Sequence, residues 1–119
     1  MSRYVLTMYM NPSKWETLTD DERKGVYAGH EDFHRITSES GEFVETKAFA
    51  EPDKTVVVRV RDGVAKSTDG AYHPADDFAC GYYLVDVASQ ERAIELAELI
   101  PDAQYTAVEV RAVIHEASE

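Results

Sequence analysis

Asp62-Gly63 lies between two valine-containing runs, Thr55 to Arg61 and Val64 to Thr68, and it limits the local fold more tightly than any other dipeptide in the chain. A two-residue turn that matches the twist of its flanking strands needs positive φ at both central positions, which Asp and Gly tolerate. The pair predicts a β-hairpin. Strand alternation then sets Val56, Val58 and Val60 on one side of the ribbon and Arg59 and Arg61 on the other.

The segments around the hairpin follow from their own punctuation. Tyr4 to Met10 is rich in aromatic, branched and Met side chains and reads as a strand ended by Asn11-Pro12-Ser13. A short loop with Trp15 follows. Thr19-Asp20-Asp21-Glu22 has capping-box spacing and predicts a helix from about Asp20 to Glu39, ended by Gly41. Val26, His30, Phe33 and Thr37 share its inward face, flanked by Tyr27 and His34. Phe43 to Ala50 and Gly81 to Val87 read as strands. Ser89 caps a second helix that Pro101 stops, and Tyr105 to His115 alternates as a last strand. The order strand, helix, strand, hairpin, strand, helix, strand predicts a single α+β domain over residues 1–119: a ferredoxin-like antiparallel sheet, two helices on one face, and an inserted β-hairpin. Two helices cover one sheet face only. The alternation suggests an apolar opposite face, and a second copy of the chain is the simplest cover, so a homodimer is expected, with further association open.

Composition narrows the function classes. Twelve Lys and Arg against 23 Asp and Glu give a formal charge of -11, which disfavours nucleic acid and anionic membrane surfaces as partners. No apolar run approaches the roughly 18 residues of a membrane span, and the first residues lack the apolar core of a secretion signal. Cys80 is the only thiol, so no intramolecular disulfide or multi-cysteine zinc site can form. A cytoplasmic protein is the expectation.

Several side chains could carry chemistry. His30-Glu31-Asp32-Phe33-His34 matches H-E-x-x-H, a zinc-binding pattern when two histidines lie one helical turn apart. Asp32 inside the motif and Glu31 on the outward face argue against that use, and no metal or other cofactor is expected. Arg59, Arg61 and Lys66 on the hairpin could attract a carboxylate or phosphate, although charge on an exposed strand also blocks edge-to-edge aggregation. His73, Asp76 and Asp77 lie in an irregular segment that could close over a bound molecule or remain a solvated loop. Cys80 lacks basic neighbours in sequence and reads as a buried, inert thiol.

The stretches Thr68-Asp69-Gly70-Ala71-Tyr72, Gly81-Tyr82-Tyr83-Leu84-Val85-Asp86-Val87 and Ala103-Gln104-Tyr105-Thr106-Ala107-Val108-Glu109-Val110-Arg111 resemble the YCII-related family, and within it the DGPF branch. Ala71 and Tyr72 replace the Pro and Phe for which that branch is named. The resemblance implies a dimeric α/β barrel, in which two ferredoxin-like sheets close on each other. Some members look like enzymes acting on small cyclic or halogenated molecules through a His and Asp pair, and the position of His30 is similar to that of the family histidine. Asp69, which begins the signature loop, is the expected acidic partner. Tyr82, Tyr83, Tyr72, His34 and His73 are the expected substrate-binding residues. The implied activity is a cofactor-independent lyase or isomerase on a small organic molecule. The alternative is a non-catalytic small-molecule-binding or regulatory accessory protein.

Overall fold

A computed structural model describes residues 1–117. The elements run β1 (Ser2–Met10), α1 (Pro12–Thr17), α2 (Asp20–Ser40), β2 (Phe43–Ala48), β3 (Val56–Arg61), β4 (Val64–Asp69), β5 (Phe78–Val87), α3 (Gln90–Glu98), α4 (Asp102–Tyr105) and β6 (Val108–Ala112). β2, β5, β1 and β6 form, in that order, a four-stranded sheet whose neighbours are all antiparallel. This is the ferredoxin-like order, and β3 and β4 form a separate two-stranded sheet inserted between β2 and β5.

Local chemistry accounts for the elements. Thr19 accepts the Glu22 amide while the Glu22 carboxylate accepts the Thr19 amide, so both halves of the capping box are present, and Gly41 closes α2 with a φ of 79°. Asp62 and Gly63 adopt φ values of 53° and 76°, as the hairpin turn demands. Two expectations are corrected. The Trp15 segment is a helix, because Asn11 caps it through the Lys14 amide and Pro12 occupies the first turn. The chain after Pro101 restarts as α4, so the last strand begins at Val108 rather than Tyr105.

The core lies between the sheet and the helices. Leu6, Phe33, Val85, Val87, Leu96 and Ile100 are fully buried in it, with Tyr83 at its edge. The opposite sheet face is less apolar than expected. Alternation along the paired strands puts Arg3, Thr7, Glu45, Asp86, Glu109 and Arg111 there among Val5, Tyr82 and Leu84. Two polar pairs lie on this side, the Tyr82 hydroxyl donating to Glu45 at 2.5 Å and Tyr9 donating to Glu109, while among the described residues a buried carboxylate oxygen of Asp86 has no partner. The C-terminal segment also crosses this side, tied by the Val113 amide to the Arg3 carbonyl at 2.9 Å and by Arg3 to Glu116 at 2.8 Å.

Candidate functional site

Gly29 and Pro101 set the position of the site. A β-carbon at Gly29 would collide with the Pro101 ring, so glycine lets the chain leaving α3 pack directly on α2. Pro101 is itself buried, and the next residue, Asp102, opens α4 beside His30. The contact is made at one place: His30 Nε2 lies 2.8 Å from Asp102 Oδ1. The other ring nitrogen, Nδ1, lies 2.7 Å from the hydroxyl of Tyr83 on the inward face of β5. Tyr83, His30 and Asp102 thus form a hydrogen-bonded relay that joins the sheet, α2 and α4.

Burial and charge shape this relay. Desolvation, aided by the negative charge of Asp102, pushes the Tyr83 phenol up to about 12, so it stays protonated at neutral pH. Burial, with Asp102 again a second cause, pushes the Cys80 thiol up to about 11. Cys80 Sγ lies 4.0 Å from Asp102 Oδ2 and is inert at neutral pH, as the sequence suggests. With the Tyr83 hydroxyl donating to Nδ1, the imidazole is the Nε2–H tautomer and donates to Asp102. Both ring nitrogens are then engaged. The remaining acceptor capacity belongs to the Asp102 carboxylate.

Asp102 also lines a shallow cleft of about 40 Å³ whose apolar wall includes Trp15, Leu18, Val26 and Tyr105. α1 forms one side of this cleft and is fixed to α2 by Arg23. The Arg23 guanidinium donates to the Trp15 carbonyl at 3.2 and 3.0 Å and to the Glu16 carbonyl at 3.1 Å, and lies over the Trp15 ring. Lys14 reaches across to the Tyr105 carbonyl at 3.1 Å. The arrangement is an ionisable carboxylate, oriented by an imidazole, at the wall of a small apolar hollow.

The other expected site residues lie elsewhere. Asp69, the anticipated partner of His30, is exposed at the end of β4 and borders a different hollow with Pro52, Asp53 and His73. The inserted ribbon carries it away from α2, and Asp102 stands where Asp69 was expected. Tyr82 points to the opposite sheet face from Tyr83, because neighbouring strand residues alternate. Tyr72 is exposed, packed against His73 and under Arg59. His34 is turned edge-on to Phe43 with ring centres 4.6 Å apart. Of these residues only Tyr83 meets His30. Among the described residues, no three His, Cys, Asp or Glu side chains converge as a metal site. Sequence reasoning missed Asp102 because Pro101 reads as a stop; Pro followed by Asp is also a helix-start signal.

Fold and site together define a ferredoxin-like α+β domain with a Tyr–His–Asp relay at the edge of its helical layer. The YCII-related domain model matches residues 2–117, and the chain belongs to that family. No curated protein matches it.

Proposed function

We propose that the protein catalyses proton transfer on a small organic molecule, as a lyase or isomerase, with Asp102 meeting the ligand and His30 orienting it. One observation carries the reading: the carboxylate that pairs with His30 at 2.8 Å also lines the cleft. The N–H donated to Oδ1 fixes the direction of the Asp102 carboxylate, which faces the hollow as a general base. In the first step the Asp102 carboxylate accepts a proton from a carbon next to a carbonyl or from a ring hydroxyl, leaving the ligand as the enolate or phenolate. In the second it returns that proton to another ligand atom or to a departing group. The Nε2–H bond persists through both, and Tyr83 holds the imidazole in the required tautomer.

The expected division of labour, with His30 as the base, is thereby exchanged: the imidazole is the positioning residue. We also infer a member of the DGPF branch, on Asp69-Gly70 and the Gly81 strand, and a cytoplasmic location, on the lone reduced-type thiol. A second reading, a non-catalytic binding or accessory protein, is favoured by the engagement of both His30 nitrogens, a pattern shared with purely structural histidines.

Deuterium exchange separates the two. A panel of small cyclic ketones, lactones and hydroquinones is incubated with the protein in D2O, and carbon-bound protons are followed by NMR. Catalysed exchange by the native protein, reduced about 100-fold or more in Asp102→Asn, supports the enzyme. A compound that shifts cleft resonances without exchange supports the binder, and exchange unchanged in Asp102→Asn removes that residue from the mechanism.

A further inference from the structure

The β3–β4 ribbon has two unlike faces. Its register pairs Arg59 with Lys66, Arg61 with Val64 and Val57 with Thr68, and directly paired residues share a side, so three cations stand together on one face. Val56, Val58 and Val60 take the other face, with Asp69 opposite Val56. No carboxylate shares the cationic face along the two strands. Arg59, Arg61, Lys66 and Thr68 line an open hollow of about 440 Å³, together with Val64 and, at its turn end, Asp62. The radius of gyration, 16.5 Å, exceeds the roughly 13.5 Å of a compact chain of this length, in keeping with a ribbon that projects from the body.

Like charges placed directly across a strand pair are destabilising. The chain has 23 carboxylates for 12 cations, so partners are plentiful. Elsewhere Arg3, Arg23, Arg35, Lys47 and Arg92 each lie within 4.0 Å of a carboxylate, whereas among the described residues Arg59, Arg61 and Lys66 reach none. Arg59 is also braced: its guanidinium lies over the Tyr72 ring at 5.3 Å, which steadies the plane of the fork and leaves its N–H edge open. Arg61 gives one N–H to the Val60 carbonyl at 3.0 Å and keeps the others. Two guanidinium forks and an ammonium around one hollow match clustered phosphoryl oxygens, which take paired N–H donors from arginine and a point charge from lysine. Size decides against a larger anion. Outside Val56–Asp69 the chain carries nine cations against 21 carboxylates. A nucleic-acid strand or anionic membrane that overhangs the ribbon meets this repelling body, while a small anion feels only the charges within a Debye length of about 8 Å. We propose that the cationic face of the β3–β4 ribbon binds a phosphorylated small molecule, with Arg59, Arg61 and Lys66 holding a diphosphate or a similarly dense anionic group. The site is independent of the cleft chemistry.

Calorimetric titration with inorganic pyrophosphate tests it. At about 20 mM salt the native protein should bind pyrophosphate with a dissociation constant below about 1 mM. Arg59→Gln/Lys66→Gln should weaken binding at least about tenfold, and Arg59→Lys, which keeps the charge and the strand but loses the planar fork, about threefold. Asp62→Asn, which removes the carboxylate at the turn end of the hollow, should tighten binding about threefold. Lys24→Gln/Arg35→Gln removes the same charge from exposed positions on α2 and should leave the constant within about twofold of the native value. The proposal is overturned by an absence of binding at about 10 mM pyrophosphate, by equal losses in the ribbon and α2 variants, or by tighter binding to an oligonucleotide or to phosphatidylcholine vesicles containing phosphatidylglycerol than to pyrophosphate.

Discussion

Cys80 works as a built-in reporter on Asp102. Its thiol is raised to about 11, first by burial and next by the carboxylate, so the pH profile of its alkylation records that neighbour's charge. Iodoacetamide labelling of the native protein should keep accelerating well past pH 9, and Asp102→Asn should move the inflection downward. An unmoved inflection would mean that no carboxylate charge reaches the sulfur. The same residues show what could be read before the fold was known. The inward direction of His30 followed from its place on the helix wheel, and the inertness of the thiol from the lack of basic neighbours beside Cys80. The identity of the acid did not. Asp102 lies 72 residues from His30 in the chain, and the notch that brings them together depends on a missing β-carbon at Gly29, a three-dimensional fit that no periodicity records.

At the scale of elements, a two-pronged ion pair joins the chain before β2 to α3. Arg92 donates to both carboxylate oxygens of buried Glu42 at 2.9 Å, and Ser40 adds a third bond at 2.7 Å. These bonds, Arg92 foremost, hold the Glu42 carboxyl below its ordinary 4.5 against the opposing effect of burial. A depressed folded value means that the pair's contribution is present above pH 4.5 and is lost as pH falls through the lower folded value. Glu42→Gln should cost about 2 kcal/mol at pH 7, with Arg92's partial exposure limiting the loss. It should also flatten the acid limb of a urea-denaturation series; an unchanged limb would assign acid lability to other carboxylates. The capping box, the Gly41 stop and the Asp62-Gly63 turn were plain in the sequence because each is a local code of two to four residues. α1 and α4 were not, because Asn11-Pro12 and Pro101-Asp102 are compatible with either a turn or a first helical turn.

For the molecule as a whole, the ribbon and the body are separable parts. The Gly70 amide bonds the Thr55 carbonyl at 2.7 Å, closing the base of the ribbon, so its two ends are neighbours. Replacing Val56–Asp69 with a Gly-Ser turn should leave the thermal midpoint at low micromolar concentration within about 4 °C of the native value. A larger drop would make the ribbon part of the body's own stability. The body, by contrast, has parts that move together. Because Arg23 clasps the end of α1 from within α2, the wall of the hollow is fastened to the helix that carries the imidazole. A guest seated in the hollow therefore bears on that helix, and its shape is felt at the imidazole that directs Asp102. Entry of a guest and the aim of the imidazole thereby become one mechanical event.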